Sequence, residues 1–361
     1  MEKNAFFEVM QYALGNRKSL SHSFSEQEWS EVIETGRKHK MLPTVYYCIQ
    51  KLKDETPEQV PAISRQNMLR LVTLAEKSIN INEIKEEAGS EIVKRFESAG
   101  FNAKVLKGQA NKEFYERMVK GLFKYRSSGD IDLWVWKKDS HYPIRSVIEF
   151  CKEKYHGDMW RPLYHHLSFN SYKGIEVEVH YRPSWMSCLR DNRRLQKFFE
   201  QYKSGDVSEE TFQLVFQLAH IYQHLLSEGV GIRQLMDFYM IDSLTEGQEK
   251  KKMLTNFNLY DIYRAVRYVN DYIFRNIENH DDKKRRGQHL LEEVMRGGNF
   301  GTYNESEQYK ALHGKRGVQR NIAKWRHLWE MVWLYPSEVI SEPLFRLYHA
   351  LWRTLKLWYY E

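Results

Sequence analysis

The sequence predicts an α+β protein, a small mixed β-sheet core flanked by N- and C-terminal helical regions. Two observations carry this. Apolar residues recur at helical spacing through the first hundred residues and again after Arg182. Between them the period drops to two, and short apolar runs are broken by Gly turns. Along the chain this gives a helical region at 1–99, a core at 100–185 and a second helical region at 186–361. A length of 361 residues exceeds the roughly 100–200 of one domain, so two or three packed units are expected.

Taken in order, Ser25 followed by Glu28 and Trp29 forms a capping box and starts a helix running to about His39. Another apolar stretch, Val45 to Leu52, follows Pro43. A long helix over about Ser64 to Ser98 is marked by the stripe Leu71, Leu74, Ala75, Ser78, Ile79, Asn82 and Ala88, and Gly100 closes it. Phe101 to Leu106 is a β run, Lys107-Gly108 a turn, and Gln109 to Val119 a helix.

Asp130 to Trp136 is the next strand. Side chains alternate along a strand, so Ile131, Leu133 and Val135 share one face while Asp130, Asp132 and Trp134 share the other. Ser140 to Tyr155 reads as a helix. His166 to Tyr172 and Ile175 to Tyr181 form two strands joined at Lys173-Gly174, and Glu176, Glu178 and His180 share a face of the second. The rest is helical, over about Glu209 to Leu226, Ile232 to Ser243, Leu259 to Ile277, Gln288 to Met295, Gly317 to Tyr335 and Pro343 to Tyr360.

Apolar residues make up 42% and charged residues 29%, the profile of a folded chain rather than a disordered one. No apolar run reaches the roughly 18 residues of a membrane span, and the start lacks the pattern of a secretory signal. Cys48, Cys151 and Cys188 show no disulfide or zinc-type spacing, and a cytoplasmic location is expected. The net charge of +7 favours anionic partners without choosing among nucleotides, nucleic acid and acidic membranes. Part of it lies in Lys283-Lys284-Arg285-Arg286 and in the cations after Lys315, which read as solvated faces.

Two carboxylates projecting the same way from a rigid strand suit a hard cation such as magnesium. A third acid is expected from a neighbouring strand, with Glu178 the best candidate and Glu176 the second. Two such ions clamp the attacking and leaving oxygens of a phosphoryl transfer.

Val105-Leu106-Lys107-Gly108, then Tyr125-Arg126-Ser127-Ser128-Gly129-Asp130-Ile131-Asp132-Leu133, then Val177-Glu178-Val179-His180-Tyr181-Arg182 together resemble the three signatures of the uncharacterised nucleotidyltransferase family of the polymerase-beta superfamily. Gly231-Ile232-Arg233-Gln234-Leu235-Met236-Asp237 is similar to a fourth, looser element. The resemblance implies metal ligation and catalysis by Asp130, Asp132 and Glu178 with two Mg2+ ions, or Mn2+. It also implies a nucleotide-binding set of Lys107, Gly108, Arg126, Ser128, Gly129, His180 and Arg233. The implied activity is transfer of a nucleoside monophosphate from a nucleoside triphosphate to an unknown hydroxyl acceptor, on a small molecule, a protein or RNA. The chain departs from the wider superfamily at Gly108-Gln109, where Gly-Ser or Gly-Gly is usual. That departure keeps open the alternative of a catalytically inactive nucleotide-binding or protein- or RNA-interaction module.

His165, His166 and His180 invite a metal reading. Neighbours on a strand point apart and no cysteine accompanies them, so zinc is disfavoured. His220 and His224, four apart on a helix, read as structural, and Arg233 with Asp237 as an i, i+4 pair or as an arginine reaching the nucleotide. Trp325, Trp329 and Trp333 read as packing residues. The aromatic run from Leu344 to Tyr359 reads first as a core-facing helix, with peripheral membrane or partner contact as the alternative.

Overall fold

The computed structural model describes residues 4–60, 63–137, 140–155, 162–172, 174–245, 248–277, 284–304 and 318–361. Lys173, Lys283 and the stretch from Lys315 to Gly317 lie outside the described residues. The helices are α1 (Ala5–Ala13), α2 (Glu26–Lys38), α3 (Leu42–Glu55), α4 (Arg65–Ser98), α5 (Lys112–Met118), α6 (Pro143–Lys154), α7 (Leu189–Lys203), α8 (Glu209–Ser227), α9 (Ile232–Asp242), α10 (Gln248–Asn256), α11 (Tyr260–Asn270), α12 (Lys284–Gly297), α13 (Val318–Glu330) and α14 (Pro336–Thr354). The strands are β1 (Asn102–Val105), β2 (Ile131–Trp136), β3 (His166–Tyr172) and β4 (Ile175–His180). The fold is therefore α+β, mostly helical with one small mixed sheet. No described helix is long and apolar enough to cross a membrane.

Two compact units draw on all three regions of the sequence. One comprises Met1–Asn80, Glu113–Ser127 and Ile221–Leu334, the other Ile81–Lys112, Ser128–His220 and Tyr335–Glu361. In the first, α1 packs on α2 and α3, and α9, α11 and α12 form a second helical group. The capping box forms as read: Glu28 N donates to Ser25 Oγ at 3.3 Å, and Ser25 N donates to Glu28 Oε2 at 2.8 Å. The inward stripe of α13 and the turn after it is Ala323, His327, Leu328 and Met331, which leaves Trp329 and Trp333 at 59% and 82% exposed. The reading of those two as packing residues is thus corrected, because the buried stripe runs along a different face of the helix.

His39, at the end of α2, is fully buried and accepts a hydrogen bond from Ile232 N at Nδ1 (3.4 Å). Burial, helped by the charge of Lys38, pushes its pKa down from 6.5 to about 3. The unfolded chain therefore takes up a proton near pH 6.5 that the folded chain refuses until about pH 3, so folding stability falls as pH drops through that window. His39→Gln is expected to spare roughly 2 kcal/mol of the stability lost between pH 7 and pH 5. Denaturant titrations of both proteins at the two pH values check this, and parallel losses would contradict it.

In the second unit the strands are ordered β1-β2-β4-β3, with β1/β2 and β4/β3 antiparallel and β2/β4 parallel. The predicted alternation places Ile131, Leu133 and Val135 in one core with Val177, Val179, Leu167 and Phe169. Helices cover that face through Ala88, Ile92 and Phe96 of α4, Ile144 and Val147 of α6, and Phe345 and Trp352 of α14. The aromatic C-terminal helix is thus a core-facing one, and its opposite stripe, Leu344, Leu347, Leu351 and Leu355, stays 47–65% exposed. It begins at Pro336 rather than Pro343. Pro336 fits the first helical turn, where its missing N–H leaves no bond unmade, and Pro343 is carried inside. On the other face Trp134 stacks on Phe212 of α8 with ring centroids 5.4 Å apart, and meets Phe199 of α7. Asp132, Glu178 and His180 occupy the same face.

Candidate functional site

The acids come from the parallel pair. The β2/β4 register sets Asp132 opposite Glu178 and Trp134 opposite His180, so adjacent strands present Asp132, Glu178 and His180 side by side. Among the described residues these three offer one ligand atom each within 4.8 Å of one another. Their oxygens suit a hard divalent cation and the imidazole also admits zinc-like metals, so the donor chemistry fits a metal.

Asp132 is 1% exposed and its carboxylate is divided between two cations. Oδ1 lies 3.1 Å from His180 Nε2, and Oδ2 lies 3.0 Å from Lys107 Nζ. Asp130, just before the strand and 31% exposed at its side chain, reaches the same ammonium at 3.8 Å and stands outside the three-residue group. Lys107 arrives from the turn after β1, held by Leu106 N donating to Asp132 O at 2.9 Å. Gly108 then turns the chain at φ +67°, a conformation that favours glycine. Gln109 to Asn111 continue as a 3-10 turn before α5, in place of the single helix expected from Gln109. The Gln109 amide donates to Ser128 Oγ at 3.0 Å, tying that turn to the segment Ser128-Gly129 that leads into the acids.

Glu178 spends its oxygens on histidines, with Oε2 3.3 Å from His180 Nε2 and Oε1 3.6 Å from His166 Nε2. Glu176, the second candidate, is exposed. Burial alone would raise the Glu178 carboxyl, but the bond to His180 and the charges of His166, His180 and Lys107 pull it down to about 2. The Asp132 carboxyl is lowered against its burial by Lys107 and His180. Burial opposes a charged His180, yet its bonds to Asp132 and Glu178 lift it to about 9. Without a metal the site is thus a buried lattice of ionised acids held by one ammonium and one imidazolium.

His165 and His166 differ from expectation. Their rings lie 4.1 Å apart, because His165 precedes the first ladder residue of β3 and is not bound to strand alternation. Its carbonyl accepts from Tyr181 N and Arg182 N, at 3.0 and 3.2 Å, which leaves the ring free to turn toward His166.

Two residues of the predicted nucleotide set belong to the first unit. Arg126 forms a two-pronged pair with Asp237, Nε to Oδ1 and Nη2 to Oδ2 both at 2.6 Å, and Tyr115 OH donates to the same Oδ1 at 2.7 Å. Arg233 Nη1 donates to Ser127 O at 3.0 Å. His224 pairs with Glu228 at 2.8 Å.

A family model described as an uncharacterised nucleotidyltransferase matches residues 25–273. No curated protein and no solved structure matches the chain.

Proposed function

Because the chain belongs to the uncharacterised nucleotidyltransferase family, we propose that it moves a nucleoside monophosphate from a nucleoside triphosphate to a hydroxyl acceptor at the edge formed by Asp130, Asp132 and Glu178, the acceptor oxygen bonding to the α-phosphorus as pyrophosphate leaves and the hydroxyl proton is released. The observation that carries this reading is the β2/β4 register, which sets Asp132 against Glu178 at one end of a parallel pair. When bound, one or two Mg2+ ions supply charge neutralisation for the phosphoryl oxygens and lower the cost of ionising the attacking hydroxyl.

The chain's own residues prepare that site. Asp132 Oδ2 and Asp130 both face the Lys107 ammonium, so these two acids would hold a divalent cation there, and Lys107 would then be released to meet the phosphates. His180 holds Asp132 by its other oxygen and so fixes the direction in which Oδ2 points. Glu178, ionised throughout the neutral range, supplies the third negative charge beside the attacking hydroxyl. Gly108 keeps side-chain bulk away from the turn that meets the triphosphate. Gln109, anchored on Ser128, stands where the wider superfamily carries a small residue or hydroxyl.

Each labelled nucleoside triphosphate, incubated with the chain, Mg2+ and a cell extract, tests the reaction and finds the acceptor. Asp132→Asn is expected to lower label transfer about a hundredfold. Transfer unchanged in that variant would overturn the assignment. Mg2+ with the cognate triphosphate should also raise the unfolding temperature of the wild type.

One observation favours a second reading. The Lys107 ammonium already sits among the acids as a resident cation, as a nucleotide-binding module without turnover would have it. Stabilisation by a triphosphate that is equal with and without Mg2+, together with no label transfer, would select that reading.

A further inference from the structure

We propose that His165, His166 and His180 form a second metal centre, for a transition-metal ion of the zinc class, set behind the acidic edge and sharing His180 with it. The centre is independent of whether the chain transfers nucleotides.

Four observations converge on it. Among the described residues the three histidines offer one ring nitrogen each within 4.8 Å of one another, and His166 and His180 are 8% and 1% exposed. Three imidazoles select zinc, cobalt, nickel or copper over magnesium, and a set of three leaves a fourth position open.

The nitrogens are already apportioned. His166 Nδ1 and His165 Nε2 share a hydrogen bond at 2.6 Å, so one nitrogen of each ring already faces the other, and the shared proton would leave as both turn to a metal. His180 commits Nε2 to the acids, while its Nδ1 is buried with no hydrogen-bond partner among the described residues. A buried ring nitrogen without a partner is costly unless something unseen satisfies it.

The carboxylates stand where outer partners of metal-bound histidines stand. Asp132 lies 3.1 Å from His180 Nε2, and Glu178 lies 3.6 Å from His166 Nε2. A carboxylate on the far nitrogen fixes the ring and raises its basicity as a ligand. One pair of acids thus serves two sites, holding imidazoles on one side and offering oxygens to a hard cation on the other.

The scaffold is rigid at this point. His166 and His180 are direct partners in the β3/β4 register, and Trp185 stacks on His165 with ring centroids 4.0 Å apart. Proteins place metal ligands on such supported positions because loose ligands lose affinity. The absence of cysteine does not oppose this, since three histidines suffice for zinc.

The full chain, stripped with a chelating resin and loaded with ZnCl2 or CoCl2 alone, tests the proposal. One metal ion per chain is expected by elemental analysis, and cobalt(II) should give the strong visible bands of a four-coordinate site. His165→Gln and His166→Gln are each expected to weaken zinc binding more than about a hundredfold. Asp132→Asn, which removes an outer partner, should weaken it by about 10–100-fold. Asp130→Asn should leave it unchanged.

Weak octahedral-type cobalt bands, or no ion retained at one per chain, would overturn the centre on the wild type alone, whatever the variants do. Undiminished zinc in a folded His165→Gln, or loss in Asp130→Asn, would place the ion at the carboxylates and equally overturn it. The Mg2+-dependent shift with triphosphate is read separately and tests the transfer reaction instead.

Discussion

Asp237→Ala is expected to cost about 3–5 kcal/mol of folding stability, because it leaves the Arg126 guanidinium buried without its counter-charge. Both side chains are only 7% exposed, and the pair is bidentate with two bonds of 2.6 Å. Planar fork geometry of this kind concentrates the interaction in one orientation. Tyr115, which donates to the same carboxylate at 2.7 Å, loses its acceptor as well. The double variant Arg126→Leu/Asp237→Leu should recover much of the loss, since the penalty comes from a stranded charge more than from the absent bond. Urea titrations of the single and double variants decide it. A single variant within 1 kcal/mol of wild type, or a double variant as unstable as the single, would show that the pair is not what holds this region.

The same pair shows where sequence reasoning reached and where it stopped. Arg126 and Asp237 were both visible as motif residues, but 111 positions apart, and no local pattern says that such a pair will meet. Period-two alternation revealed the strands and which faces they bury, because that signal lies in adjacent residues. Alternation puts Glu176 and Glu178 on one face, and although Glu178 ranks first in the sequence, alternation alone does not say which of them stands opposite Asp132. That choice belongs to strand register, which was unreadable without knowing that β2 and β4 run parallel. Lys107 was legible as a cation near the site, but not as the partner of Asp132, since a lysine's flexible stem lets it reach either phosphates or acids. The His165-His166 pair escapes the alternation rule for a definite reason: His165 lies one residue before the strand begins. Helix α7 carries a weak sequence signal, because its opening Leu189-Arg190-Asp191-Asn192-Arg193-Arg194 is mostly polar and its apolar stripe begins only at Leu195.

Lys107→Met brings the electrostatics of the acidic edge to a single experiment. In the metal-free protein the ammonium compensates Asp132 at 3.0 Å and Asp130 at 3.8 Å, and burial makes that compensation worth more than at a surface. About a fifth of the lysine side chain remains exposed, so the loss should fall somewhat below that of a fully buried pair, at about 3 kcal/mol. Magnesium should then act in the opposite direction. On the proposed reading a cation bound at Asp132 Oδ2 would replace Lys107 in the wild type, whereas in Lys107→Met that oxygen would be open and the acids would keep only His180 as counter-charge. The variant should therefore bind Mg2+ about tenfold more tightly, and saturating Mg2+ should return roughly 1.4 kcal/mol more stability than it gives the wild type. Thermal unfolding across a Mg2+ series reads both effects at once. Destabilisation without a larger Mg2+ response would mean that the acids do not receive a hard cation at the place Lys107 occupies, and the two-ion reading of the site would fall while the fold around it stood. A larger Mg2+ response combined with loss of nucleotidyl transfer would give Lys107 two successive partners, the acids in the empty site and the triphosphate in the loaded one.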